Sequence, residues 1–347
     1  MLNKIKTMLA VAGIAAASIA LSMPLATAQE VVLKLHQFLP AQANVPKHIL
    51  DVWADKVEAD SGGRIKIERY PAMQLGGKPP ELIDQAIDGV ADIVWTLPGY
   101  TPGRFPRAEV FELPFMMTNA EATSKAYYDI YEKYMKDDDF KDVHVLSVWV
   151  HGPGVIHSNK PVRAIADLSG MKLRAPTRII TGMFDDLGAT SVGMPVPAIT
   201  EALSKGVIDG TVIPWEVTPS LKVAELVKNH TEFAAAPLYT AAFVFAMNKA
   251  KYDSLPDDLK KVIDDNSGRE LAGFAGRTMQ EYDAPGRTIA VDAGNNIITL
   301  TEEEIAPWKE ATTGVQERWI AEMAEKNIDG QALIDEAKAL IAQYSSM

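Results

Sequence analysis

DLSGMKLRAPTRIITGMFDDLGATSVGMPVPAITEALSKGVIDGTVIPWE, residues 167–216, decides how the chain is read. A short apolar run reaches Arg174 and then meets Ala175-Pro176. Proline denies the residue before it the helical region and removes a backbone donor, so a strand over 171–174 ends there. Arg174 is therefore expected at a strand tip, where open α/β sheets bind their ligands. The rest of the stretch repeats the same grammar. A helix over about 177–187, a strand at 191–193, a helix over about 197–205 stopped by Gly206, and a strand ending at Pro214-Trp215-Glu216 follow in turn.

Outward from this block the pattern continues. Residues 31–38 alternate as a strand, Ile49, Leu50, Trp53 and Val57 share one helical face, and Ser61-Gly62-Gly63 ends that helix. Strict alternation over 64–70, a helix carrying Leu82, Ile83, Ala86 and Ile87, and an apolar strand at 91–95 complete an α/β lobe. The turn-rich loop 97–106, with Tyr100 and Arg104, lies at the carboxyl end of that third strand, a place where loops carry function. A helix at about 120–135 and an apolar strand at 143–150 precede the bend His151-Gly152-Pro153-Gly154, where the chain is expected to cross into a second lobe. The β-rich run 239–248 brings it back. Pro256-Asp257-Asp258 then opens a long helix reaching at least Met279, and two terminal helices, one with Trp308, Val315, Trp319, Ile320 and Met323 on a single face, close the structure.

The first 28 residues form an address: Lys4 and Lys6, an apolar run over 8–21, and a small-residue cleavage site at Ala26-Thr27-Ala28. The mature chain is expected to start at Gln29 and to reside in the periplasm. What remains exceeds the ~250 to 300 residues at which one core stops growing, which implies two lobes. The formal charge of −12 disfavours nucleic acid and anionic membranes as partners. Cysteine is absent, which excludes thiol catalysis, disulfides and cysteine zinc sites. No nucleophile elbow, phosphate loop, dinucleotide fingerprint, zinc-protease motif or EF-hand loop occurs. The six histidines lack metal-ligand spacing, so neither a metal nor a catalytic residue is assigned.

LGA at 187–189, Met194-Pro195, Ala202-Leu203 and GVIDG at 206–210 follow Arg174 in an order that resembles the solute-binding subunit of TRAP transporters, the DctP-like family. SGGRIKIE at 61–68, Gln74-Leu75-Gly76, GVADI at 89–93 and LPF at 113–115 extend the resemblance over the whole mature chain. It implies an α/β, two-lobed periplasmic-binding-protein fold, each lobe a mixed sheet flanked by helices, with a long helix spanning both. The boundaries expected are 29–150 plus about 239–279 for lobe I, and 151–238 plus about 280–347 for lobe II. The resemblance also implies that Arg174 grips the carboxylate of a transported acid, that small and large membrane subunits receive it, and that neither ATP nor a cofactor takes part.

An arginine suits that role because its planar fork matches two carboxylate oxygens and keeps its charge. Three departures from the family narrow the ligand. Gly154 stands where sialic-acid binders carry a second arginine, Ile213 replaces an asparagine before Pro214, and Val212-Ile213 replaces the Glu-Trp of the keto-acid branch. One anion clamp with apolar walls remains. Trp215, Trp95, Phe38, Tyr239 and Ile213 are the candidate walls, and Glu216, Gln37, His36 and His151 the candidate polar contacts. The expected ligand is an aromatic or apolar monocarboxylate, with a C4-dicarboxylate as the alternative. A periplasmic enzyme pairing His36 with Glu216 as acid and base, or a sensor using the same fold, also stays open.

Overall fold

The computed structural model describes residues 30–346, so the leader and cleavage site read at 1–28 lie outside the described residues. Its first sheet takes β1 (Val31–Gln37), β2 (Ile65–Tyr70), β3 (Ile93–Thr96) and β4 (Val143–Val150), and later in the chain β10 (Ala242–Asn248). The order is β2-β1-β3-β10-β4, with β1 parallel to β2 and β3, and β10 antiparallel to both its neighbours. Strand β4 ends the ladder yet is almost wholly buried, because the helices Ala120–Tyr134 and Arg269–Glu281 pack over it. That cover explains its continuous apolar sequence.

The second sheet has the order β11-β9-β5-β8-β6-β7. Its members are β5 (Val155–Ser158), β6 (Lys172–Ala175), β7 (Thr190–Gly193), β8 (Gly210–Ile213), β9 (Asn229–Glu232) and β11 (Asn296–Thr299). Strand β6 is parallel to β7 and β8, whereas β5 runs antiparallel to β8 and β9. These two mixed sheets, each with its helices, are the two lobes. Of the second sheet, β5, β9 and β11 do not stand out in the sequence. They are four residues each and rich in Asn, His, Ser and Thr.

The spanning helix differs from its expected course. The helix opened by Pro256 runs only over Asp257–Asp265, and Gly268, at φ +85°, breaks the path. Strand β4 captures that break: the Gly268 amide donates to the Leu146 carbonyl at 2.8 Å, and Ser147 Oγ donates to the Gly268 carbonyl at 3.0 Å. The element that reaches both lobes begins after it. Helix Arg269–Glu281 packs on Ala120–Tyr134 of the first lobe, and beyond Tyr282 the helix Asp283–Asp292 packs on the turn Trp215–Val217 of the second.

The chain thus passes from the first sheet to the second between β4 and β5, returns between β9 and β10, and leaves again between β10 and β11. A further difference lies at the carboxyl end, expected in the second lobe. Helix Gly330–Ser345 returns to the first, where Lys133 pairs with Glu336 at 2.7 Å and Tyr344 Oη donates to Asp129 at 2.6 Å. Among the described residues no helix is long and apolar enough to cross a membrane.

Candidate ligand-binding site

Arg174 is the third residue of β6 and is fully buried. Its Nε donates to the Met194 carbonyl at 2.8 Å and its Nη1 to the Val212 carbonyl at 3.2 Å. These acceptors belong to the segments that flank β6 on either side, one just after β7 and one in β8. The spacing of the quoted stretch therefore has a physical reading: Met194-Pro195 and the strand after GVIDG supply the two carbonyls that hold the guanidinium still. Nη2 is buried with no hydrogen-bond partner. No carboxylate among the described residues lies within ion-pair distance of it. Tyr100 and Tyr239 stand beside it, and burial pulls its pKa down from the ordinary arginine value. A buried cation held by neutral carbonyls is costly until an anion joins it.

A cleft pocket with about 400 Å³ of space between atoms, open solvent included, lies against Arg174. Phe38, Leu39, Trp95, Leu97 and Phe243 line it from the first lobe, and Pro176, Val196, Val212, Ile213, Pro214, Glu216 and Val217 from the second. His151, Tyr239 and Ala241 from the crossings, and Met279 from the spanning helix, complete the wall. Three rings form one stack: Trp95 lies 4.7 Å from Phe38 at 16° and 5.0 Å from Phe243 at 17°. Such a stack offers a flat apolar face at low entropic cost. Tyr239 Oη and Trp95 Nε1 are buried without partners.

His151 adds no charge here. Burial pushes its pKa down to about 4. Its Nδ1 donates to the Gly152 carbonyl and its Nε2 accepts from the Ala241 amide at 3.1 Å, so both nitrogens are occupied. Glu216 is 6 % exposed, accepts from Asn44 Nδ2 at 3.0 Å, and has its pKa raised by burial to about 7. Among the described residues no group of three or more His, Cys, Asp or Glu side chains is arranged to hold a metal.

Seven of the ten candidates thus share one cavity: Arg174, Glu216, Ile213, Trp95, Phe38, His151 and Tyr239. Three do not. Trp215 faces the opposite side of its sheet, in a separate cluster with Val155, Ala224 and Ala290, and its Nε1 donates to Glu232 at 2.8 Å. His36 bonds Gln85 at 2.7 Å and the Leu75 amide at 3.3 Å, away from the cavity. Gln37 folds back on the Leu39 backbone, with its Nε2 donating to the Leu39 carbonyl at 2.7 Å. The first case follows from the turn: β8 ends at Ile213, and in the 3-10 turn Trp215–Val217 it is Glu216 and Val217, not the indole, that meet the cavity. Phe243, Met279 and Tyr100 were not singled out as site residues. Tyr100 had a signal, a loop at a strand's carboxyl end, whereas Phe243 becomes visible only once β10 is paired beside β3.

Three contacts tie the lobes over the cavity. Asn44 meets Glu216, the Val196 amide donates to Tyr100 Oη at 3.0 Å, and Arg178 forks onto Glu109 with Nε to Oε1 at 2.6 Å. What the lobes meet around is a pocket with an unpartnered guanidinium in its wall, and the chain has the two-lobed form of a solute-binding protein. Residues 37–323 match the DctP family model, bacterial extracellular solute-binding protein family 7, and the chain belongs to that family of TRAP solute-binding proteins.

Solved relatives agree with the fold in detail. A TRAP solute-binding protein from Rhodoferax ferrireducens, bound to copurified benzoate, is 53 % identical over 91 % of this chain and 98 % of its own, with a TM-score of 0.89. A marine-metagenome protein specific for aromatic acid ligands, bound to 3-hydroxybenzoate, is 52 % identical over 91 % and 99 %, also at 0.89. The C4-dicarboxylate-binding periplasmic protein DctP of Rhodobacter capsulatus is 28 % identical over 91 % of this chain and 93 % of its own.

Proposed function

We propose that this chain captures an aromatic monocarboxylate between its lobes in the periplasm and hands it to TRAP membrane subunits. The observation that carries the reading is the buried Arg174 guanidinium, unpaired at Nη2 and facing a cavity walled by stacked rings. The ligand's carboxylate takes the place of the missing counter-charge, and its ring lies against Phe38, Trp95 and Phe243. A charge-assisted bond of this kind contributes about 1.5–3 kcal/mol net. The aromatic acids bound by the two relatives with more than half their residues in common support the same choice.

Ligand that touches both lobes stabilises their closed arrangement, and the membrane subunits would read that arrangement. The lobe division that goes with this proposal is 30–150 with 239–281 and 330–346, against 151–238 with 283–300. A C4-dicarboxylate fits less well, since its second carboxylate would meet no second free cation in the cavity wall. The proposal includes no catalysis, and His36 and Glu216, the acid-base pair an enzyme would need, do not share the cavity.

Thermal unfolding of the mature chain with benzoate, mandelate, succinate and N-acetylneuraminate tests the reading. Saturating benzoate or mandelate should raise the midpoint, since a hundredfold excess over Kd adds ~2.7 kcal/mol. Stabilisation by succinate with none by either aromatic acid would reject it.

A further inference from the structure

The cavity wall carries free polar groups of two opposite kinds. At Arg174 the free groups are donors: Nη2 of the arginine, with the Tyr239 hydroxyl beside it, is buried and unpartnered. At Glu216 they are acceptors. Glu216, the one carboxyl in the cavity wall, uses Oε2 to accept from Asn44 Nδ2 at 3.0 Å, and its Oε1 has no hydrogen-bond partner in the protein. Asn44 Oδ1 is likewise buried without a partner. Both oxygens therefore lack a donor, and of the two residues Glu216 lines the cavity. An apolar body filling the cavity would leave the Glu216 oxygen unpaired, which a closed site tolerates poorly.

The placement of Glu216 is built. The turn Trp215–Val217 that carries it follows β8 through Pro214, and the Glu216 amide donates to Asp283 Oδ1 at 2.9 Å. Asp283 opens the second half of the spanning element, and Gly286 in the same helix packs so closely that a Cβ there would fall 2.2 Å from the Trp215 carbonyl. Asn44 enters from the first lobe, at the start of the helical stretch that continues into Pro46–Leu50. The backbone of Glu216 is thus fixed from the spine, and its side chain is fixed from the opposite lobe.

Resting on the aromatic-acid reading above, we propose that Glu216, held in place by Asn44, is a hydroxyl-reading subsite, so that the preferred ligand is an aromatic acid bearing a hydroxyl in addition to its carboxylate. Glu216 exchanges a hydrogen bond with that hydroxyl in either protonation state: ionised it accepts, and protonated it accepts at one oxygen or donates from the other. A site built to bond a hydroxyl discriminates strongly against the analogue lacking it, because its own polar groups are then stranded.

Calorimetry with benzoate and with 2-, 3- and 4-hydroxybenzoate tests this on the mature wild-type chain, Glu216→Met and Asn44→Ala. The wild type should bind at least one hydroxy isomer tenfold or more tightly than benzoate. In Glu216→Met that ratio should fall below about threefold, whatever happens to benzoate affinity itself, and in Asn44→Ala it should fall in the same direction. A role as an interlobe tie alone would weaken all four ligands together and leave the ratio unmoved, which would overturn the proposal. So would a wild type that binds benzoate as tightly as every isomer, an outcome that needs no variant to fold. Benzoate binding without hydroxyl preference sinks only the subsite, whereas binding of none of the four sinks the aromatic-acid reading with it.

Discussion

A Cβ placed on Gly154 would fall 2.1 Å from Cε1 of Tyr239, and the Gly154 amide donates to the Tyr239 carbonyl at 3.0 Å. The tyrosine ring that walls the cavity occupies the space any side chain at 154 would need, so a second cation at this position and this ring exclude each other. Gly154→Ala should displace the ring, cost about 1–3 kcal/mol in denaturant unfolding, and weaken benzoate binding by roughly tenfold. An alanine variant with unchanged unfolding and unchanged affinity would mean that the ring does not form this wall.

Arg174→Lys keeps the charge and loses the fork. Its ammonium cannot reach the Met194 and Val212 carbonyls and a carboxylate with the same planar set of donors, so affinity for aromatic acids should drop by about 10- to 100-fold. Arg174→Ala should show no ligand-induced rise in melting temperature. Circular dichroism of each unliganded variant separates lost binding from lost folding.

The Tyr100 hydroxyl accepts from the Val196 amide across the cleft. Tyr100→Phe leaves that amide without a partner when the lobes are together, at a cost of about 1 kcal/mol. The penalty falls on the closed form, so stopped-flow dissociation should accelerate about fivefold while association changes little. Slower association with unaltered dissociation would contradict this assignment.

Glu112 is 1 % exposed; its Oε1 accepts from the Ala242 amide at 3.1 Å and its Oε2 has no partner. Burial pushes its pKa up to about 8 from the ordinary 4.5. The folded state therefore holds this proton more tightly than the unfolded chain does. The associated stability is complete below pH 4.5 and is lost as pH rises through about 8, on the order of 5 kcal/mol in all. Glu112→Gln carries no such titration. Its melting temperature should gain on the wild type by several degrees between pH 5 and pH 8.5, and a pH-independent difference would refute the raised pKa.

Trp215→Phe removes the bond to Glu232 while leaving Glu232 paired with Arg287 at 2.7 Å. Stability should fall by about 1–2 kcal/mol. The ratio of affinities for benzoate and succinate should not move, because the indole faces away from the cavity. A changed ratio in equilibrium titrations would return Trp215 to the ligand wall.

Much of this was legible beforehand, and the pattern of misses has physical causes. Proline after Arg174 marked the strand tip, and the apolar run 143–150 became β4 residue for residue. Strands β5 and β9 were missed because each is only four residues long and buries a histidine. Asn295 donates to His230 Nε2 at 3.0 Å, His230 Nδ1 to His157 Nδ1 at 2.7 Å, and His157 Nε2 to the Ile213 carbonyl at 3.2 Å. Each ring is satisfied by a residue distant in sequence, which no local pattern can reveal. The Ser267-Gly268 stop was readable as a breaker and was overrun by the helical periodicity on both sides. Trp215 was misplaced because β8 ends at Ile213 and the turn after it no longer follows strand alternation. Asn44 gave no signal, since its partner lies 172 residues away.

Arg174 is wholly shut off from solvent with three separate fastenings across the cleft. The groups that would hold a guest and the groups that fasten the halves are different residues. Loosening Asn44, Tyr100 or Arg178 would therefore ease a guest's departure without touching the grip on its carboxylate.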